Sequence, residues 1–213
     1  MLCSNCGELI RPVVALDIDG TIGDYHGHFL HFAAQWLGRD LDMGYHGNPS
    51  FREWFALHNN VSTEQFRAIK LAYRQGGMKR SMPIYSGSNE LVHEIQKHDA
   101  ELWVTTTRPY LSLDNIVPDT VEWLRRHEIE YDGMLFDEDK YHQLVERVDP
   151  QRVVAVIDDL PEMCDAAEEA VGRNIAIMMG TLYNSHIHIR RSTMYDVIAG
   201  IGPLIDDWKV LNA

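Results

Sequence analysis

Five short runs along the chain are apolar at nearly every position: 12–16, 102–106, 134–136, 152–157 and 175–179. A strand buried on one face alternates apolar and polar residues, whereas a strand covered on both faces is apolar throughout. These runs are therefore expected to be inner strands of a parallel sheet. Between them the apolar positions take helical spacing. Residues 89–98 place Leu91, Val92 and Ile95 on one face, and residues 120–127 follow Pro118 and group Val121 with Leu124. Residues 161–171 open on Pro161 and stop at Gly172, a proline suited to a first helical turn and a glycine suited to a helix end. Such alternation of strand and helix predicts a three-layer α/β fold, a parallel sheet with helices on both faces.

Residues 23–85 break the alternation and read as helices alone. Residues 28–37 are aromatic and apolar, and residues 50–58 carry Phe51, Trp54 and Phe55. Ser62 and Gln65 have the spacing of a capping box ahead of Phe66, Ile69 and Tyr73. The expected organisation is a core made of residues 1–22 and 86–213 and a small helical subdomain of residues 23–85, inserted after the first strand. The tail beyond Tyr183 ends in one apolar helix, expected over residues 195–208.

Composition narrows the partners. The 213 residues are 45% hydrophobic, enough for a core, and carry a formal net charge of −13. An acidic surface repels polyanions, because nucleic-acid binding draws on Lys and Arg contacts with phosphates. A small ligand is expected in place of long nucleic acid. No apolar stretch reaches the roughly 20 residues needed to cross a membrane, and a cytoplasmic protein is the expectation. The three cysteines, Cys3, Cys6 and Cys164, are too few for a disulfide scaffold. Cys3 and Cys6 are spaced like half of a zinc site and His26, His28 and His31 are potential partners, but no second CxxC follows, so zinc is not expected. His186 and His188 make a weaker metal pair. The oligomeric state, monomer or homodimer, stays open at this point.

The chemistry concentrates at strand ends. The first strand runs into Asp17-Ile18-Asp19-Gly20-Thr21, two carboxylates one residue apart before a glycine turn. Crevices beyond strand ends are the favoured ligand sites of open α/β sheets, and paired carboxylates suit a hard cation or a division of labour between nucleophile and proton carrier. Asp158 and Asp159 close the fourth apolar run. Thr106, with Thr107 and Arg108 beside it, closes the second and offers donors to phosphate oxygens. Lys140 is an ammonium suited to charge on a transferring phosphoryl group.

Taken in this order, Asp17-Ile18-Asp19-Gly20-Thr21, Thr106, Lys140 and Asp158-Asp159 resemble the haloacid dehalogenase superfamily of phosphotransferases. The resemblance implies a Rossmann-like core with a small helical cap after the first strand. It implies Asp17 as nucleophile, Asp19 as acid and base, and Thr106 and Lys140 as phosphate ligands. Mg²⁺ would be held by Asp17, the backbone carbonyl of Asp19 and Asp158, with Asp159 close by. An aspartate at the position of Asp19 is what the superfamily's phosphatases carry. A narrower likeness is to its 5′(3′)-deoxyribonucleotidase branch, through Asp139-Lys140 and Ile157-Asp158-Asp159-Leu160-Pro161-Glu162. In that branch an aromatic residue at the spacing of Tyr25 stacks on the base, which makes a nucleoside monophosphate the implied substrate. Thr21 and Arg108 depart from the branch, which usually has Val and Pro there. Residues 107–109 and 119–127 are also similar to polynucleotide 3′-phosphatases, the second reading. A non-catalytic binding module that retains the fold is the third.

Overall fold

The computed structural model describes residues 10–45, 50–108, 113–187 and 191–212. Each apolar run forms a strand, with ends within one residue of those expected: β1 (Val13–Leu16), β2 (Glu101–Thr106), β3 (Gly133–Phe136), β4 (Val153–Asp158) and β5 (Ala176–Met179). A two-residue strand, β6 (Arg191–Ser192), adds an edge that no apolar pattern announced. All neighbours are parallel, in the order β3-β2-β1-β4-β5-β6. Leu16, at the end of β1, lies opposite Val104 on one side and Ile157 on the other.

Successive side chains of a strand face opposite ways, and β1 uses both faces. Val14 and Leu16 pack with helices α4 (Ser88–Lys97), α5 (Ile116–Arg126) and α8 (Met194–Leu211). Val13 and Ala15 pack with α6 (Lys140–Arg147) and α7 (Pro161–Val171). All four are fully buried, so the sheet is the middle of three layers, as the unbroken apolar runs predict. Helices α5 and α6 differ from expectation. Helix α5 begins at Ile116, ahead of Pro118, because a proline in the first turn forfeits no helical hydrogen bond. Helix α6 was not expected; its buried apolar positions, Tyr141 and Leu144, are too few to show a period.

The insertion between β1 and β2 folds as α1 (Tyr25–Leu37), α2 (Phe51–Asn59) and α3 (Thr63–Gln75), then a 3-10 turn at Met78–Ser81. Helix α1 starts three residues earlier than the aromatic run suggests, since Asp24 accepts from the Gly27 N–H at 2.9 Å as its N-cap. Ser50 and Ser62 both close capping boxes, with Glu53 and Gln65. Phe29, Trp54, Phe55, Phe66, Ile69 and Tyr73 form a core of their own, apart from those on the sheet. The two chain crossings to this body lie side by side: Gly23 bridges Ile84, and the Tyr85 N–H donates to the Ile22 carbonyl at 2.8 Å.

Cys3, Cys6 and His188 lie outside the described residues. His26 is packed among aromatic rings, 4.4 Å from Tyr183 and 4.6 Å from Phe51 between centroids. No helix among the described residues is long and apolar enough to cross a membrane.

Phe55 is fully buried within the insertion, and Phe55→Ala is expected to cost about 3–5 kcal/mol, the usual range for emptying a buried phenyl site. Urea unfolding followed by circular dichroism measures this. A loss under about 1 kcal/mol would show that the insertion does not unfold cooperatively with the sheet.

Candidate active site

The site lies where β1 separates β2 from β4, the point at which the strand order reverses and a crevice opens beyond the strand ends. Asp17 still runs alongside β4, its N–H donating to the Ile157 carbonyl at 3.0 Å. The chain then turns tightly, and the Ile22 and Gly23 N–H groups both donate to the Ile18 carbonyl, at 3.1 and 2.8 Å. Gly20 has φ +100°, a conformation that L side chains rarely adopt. A Cβ there would also collide with the Tyr183 hydroxyl and the Asp159 carboxylate. This turn sends Asp17 and Asp19 to different partners.

Asp17, Asp158 and Asp159 each offer a buried carboxylate oxygen within 4.8 Å of the others. Lys140, delivered by the first residue of α6, places Nζ 2.5 Å from Asp17 Oδ1 and 2.7 Å from Asp158 Oδ2. The Tyr141 hydroxyl donates to Asp158 Oδ2 at 2.5 Å, and the Leu160 N–H to Asp158 Oδ1 at 3.0 Å. Asp159 accepts from Thr21 Oγ1 at 2.9 Å and from the Tyr183 hydroxyl. Burial pushes Asp17 up to about 7; Lys140 pulls it down and Asp158 pushes it further up. Burial also raises Asp159 well above the carboxylate range, with Asp158 and Asp17 adding to the effect. For Lys140 burial opposes the charge, but Asp158 and Asp17 outweigh it and hold the ammonium firmly protonated. Three hard carboxylates against one ammonium leave an excess of negative charge, and this donor set fits a hard divalent cation.

Asp19 sits in a different setting. Arg108 grips it with two bonds, Nη2 to Oδ1 at 2.9 Å and Nε to Oδ2 at 3.2 Å, and Lys79 contacts Oδ2 as well. Arg108 Nη1 donates to Thr120 Oγ1 at 2.5 Å, and that hydroxyl donates to the Ile116 carbonyl. Burial works against ionising Asp19, yet Arg108 and Lys79 prevail and hold it well below the usual carboxylate range. Burial lowers Lys79 to about 7, against the pull of Asp19. The Lys79 ammonium lies 4.0 Å from the centre of the Tyr25 ring.

The structure thus brings Asp17, Lys140, Asp158 and Asp159 together and does not place the Asp19 side chain among them. As a metal ligand Asp19 has only its backbone carbonyl to offer, because its carboxylate is occupied by two cations. Thr106 ends β2 with a buried hydroxyl that finds no hydrogen-bond partner among the described residues, as does Thr105. Thr107 and Tyr25 line a cavity of about 240 Å³ beside Asp19, and Arg108 lines it while bound to that carboxylate. Lys70, Arg74, Lys79 and His26 also line it; sequence reasoning weighed His26 only as a zinc partner and missed the three cations. Lys70 and Arg74 stand four residues apart on α3, a spacing that a solvated helix face shows equally often. Lys79 follows Gly76-Gly77-Met78 with no pattern to mark it.

The comparisons with known proteins agree with this geometry. Residues 11–201 match the model of the family described as 5′ nucleotidase, deoxy (pyrimidine), cytosolic type C protein. The chain belongs to this family. It is 23% identical over 195 residues to the "Putative 5′(3′)-deoxyribonucleotidase" of Chlorobaculum tepidum, covering 87% of this chain and 89% of that one. Among solved structures it is similar in fold to a HAD family hydrolase from Deinococcus radiodurans R1 with bound phosphate and sodium (TM-score 0.59, 14% identity, 92% and 97% covered). It is likewise similar to CbbY from Rhodobacter sphaeroides in complex with phosphate (TM-score 0.57, 18% identity, 92% and 100% covered). The protein is a phosphatase of the haloacid dehalogenase fold, nucleotidase-like by family.

A cation held by these crowded carboxylates would bind in a pH-dependent way. Asp17 titrates near 7 in the folded chain and near 3.8 unfolded, so its proton is held more tightly by the fold. The metal-free protein is most favoured, on this account, below the unfolded value, and that contribution is lost as pH rises through 7. A divalent cation relieves the repulsion only where the carboxylates are ionised. Mg²⁺ is therefore expected to raise the Tm of EDTA-treated protein more at about pH 7.5 than at about pH 5. Equal shifts in thermal scans at both pH values would show that the cation binds elsewhere.

Proposed function

We propose that the chain hydrolyses small phosphomonoesters, nucleoside monophosphates among them, through a phosphoryl group carried transiently on Asp17. The observation that carries this reading is the buried Asp17 carboxylate, bonded through one oxygen to Lys140, beside two further carboxylates and the unspent Thr106 hydroxyl. The oxygen not bonded to Lys140 is the nucleophile. It forms the bond to phosphorus as the ester oxygen leaves, while Lys140 and Thr106 take oxygens of the transferring group. Mg²⁺, held by Asp17, Asp158 and Asp159, would supply positive charge to this dense set of anionic oxygens. Asp19, having taken up a proton from solvent as substrate binds, gives it to the leaving oxygen and then takes one from the water that cleaves the aspartyl-phosphate, restoring Asp17 and releasing phosphate.

Asp19 at rest is a carboxylate held by Arg108 and Lys79. A substrate anion that recruits these cations loosens their hold and raises the proton affinity of Asp19 at the moment an acid is needed. Substrate binding and acid strength are coupled in this way. Tyr25 is the aromatic contact for the substrate, with the Lys79 ammonium against its ring. The helical insertion of residues 23–85 acts as the cap that covers the cavity, since it supplies Tyr25, Lys70, Arg74 and Lys79.

Asp17→Asn is expected to lower kcat by at least about 10⁴-fold, the scale seen when a nucleophile is removed, while the circular dichroism spectrum stays that of the parent. Substantial residual turnover would overturn the role of Asp17, and a parent protein inert with every substrate would favour a binding module. A second expectation concerns substrate class. Phosphate release from nucleoside 5′- and 3′-monophosphates is expected to exceed that from 3′-phosphorylated oligonucleotides and to stop in EDTA. Preference for the oligonucleotide would transfer the assignment to the 3′-phosphatase class.

A further inference from the structure

We infer, on the reading that Asp17, Asp158 and Asp159 hold Mg²⁺, that Tyr183 is a positioning residue for that cation. Its hydroxyl fixes Asp159, and its ring ties that carboxylate to the helical insertion. The three carboxylates are compensated unequally. Lys140 pairs with Asp17 and Asp158, and among the described residues no cation pairs with Asp159. The two oxygens of Asp159 accept from hydroxyls instead, Oδ1 from Thr21 and Oδ2 from Tyr183. A buried carboxylate held by neutral donors gains more from a cation than one already paired with an ammonium. Each of its oxygens keeps a further lone pair to offer one.

The hold on Asp159 extends to its backbone. Asn184, 2% exposed, donates through Nδ2 to the Asp159 carbonyl at 2.9 Å and to the Met179 carbonyl at 2.7 Å. Its Oδ1 accepts from the Thr181 N–H at 2.8 Å. The segment after β5 is thus closed on itself and on Asp159. Tyr183 and Asn184, consecutive in the chain, grip the side chain and the main chain of the same residue. Together they leave Asp159 little freedom to swing away from Asp17 and Asp158.

The backbone of Tyr183 follows the sheet, but its ring packs in the aromatic core of the insertion. It lies 4.4 Å from His26 of α1 between centroids, and it stacks on Tyr45 at 5.8 Å with 18° between the planes. Tyr45 in turn lies 5.1 Å from Phe51 and 5.2 Å from Trp54 of α2. Few torsions separate a tyrosine ring from its backbone, so packing that fixes the ring also fixes the hydroxyl. The seating of the insertion therefore reaches Asp159 through one side chain. A phenylalanine would fill the same space; the bond to Asp159 is what requires a tyrosine.

The test is calorimetric titration of Mg²⁺ into EDTA-treated intact protein: parent, Tyr183→Phe, Tyr45→Leu and the double variant. Tyr183→Phe keeps the ring and is expected to bind Mg²⁺ about tenfold or more weakly, the scale on which donors behind a metal ligand act. At saturating Mg²⁺ its KM for a nucleoside 5′-monophosphate is expected to match that of the parent. Tyr45→Leu leaves the hydroxyl in place and loosens the ring. It is expected to weaken Mg²⁺ binding about threefold or more in the parent and to add nothing in Tyr183→Phe. Unchanged Mg²⁺ affinity in Tyr183→Phe would overturn the inference and leave the metal reading intact. Equal losses from Tyr45→Leu in both backgrounds would overturn the link to the insertion. Should Tyr183→Phe not fold, Tyr45→Leu still decides, since unchanged affinity there would overturn the inference. No Mg²⁺ binding to the parent would overturn the metal reading, and this inference with it.

Discussion

Three carboxylates crowded at the ends of two adjacent strands, with a single ammonium against them, are the constraint on which this structure depends. Asp17, Asp158 and Asp159 each bring a carboxylate oxygen within 4.8 Å of the others, and all three are buried. Such an arrangement is costly unless each oxygen is compensated. The local architecture supplies that compensation. Helix α6 starts at the residue that brings Lys140 to Asp17 and Asp158, and its next residue, Tyr141, donates to Asp158. The turn after β1 has room for the Tyr183 hydroxyl and the Asp159 carboxylate only because Gly20 has no Cβ.

A second ionic group joins the two bodies of the molecule. Asp19 comes from the turn after β1, Arg108 from beyond the end of β2, and Lys79 from the end of the insertion. The insertion is therefore tied to the sheet through the candidate site itself, as well as through the paired crossings at Gly23 and Ile84. Two aspartates one residue apart acquire opposite character from these surroundings. Asp17, in an anionic neighbourhood, is raised to about 7. Asp19, in a cationic one, is held ionised.

The sheet was legible because its strands are buried on both faces, which leaves almost every position apolar and the pattern unambiguous. The edge strand β6 and the short helix α6 were not, since two residues at an edge and one buried helical turn leave no period to read. In the site, Asp17, Lys140, Asp158 and Asp159 were legible because they stand next to strand or helix ends and chain order alone brings those ends together. The surroundings of the Asp19 side chain were not legible. Its direction is set by Arg108 and Lys79, which are 89 and 60 residues away in the chain.

By itself, the sequence determined a parallel α/β sheet, an insertion after its first strand, and the carboxylates and lysine that would do phosphoryl chemistry. These follow from periodicity and from residues beside strand ends, and both are local properties. Only the tertiary structure decided which cations face Asp19, and that Lys70, Arg74 and Lys79 enclose one cavity with Tyr25. The reason is physical. A lysine on a polar helix face has the same local sequence whether it meets water or a buried carboxylate, and its meaning is settled by what folds against it.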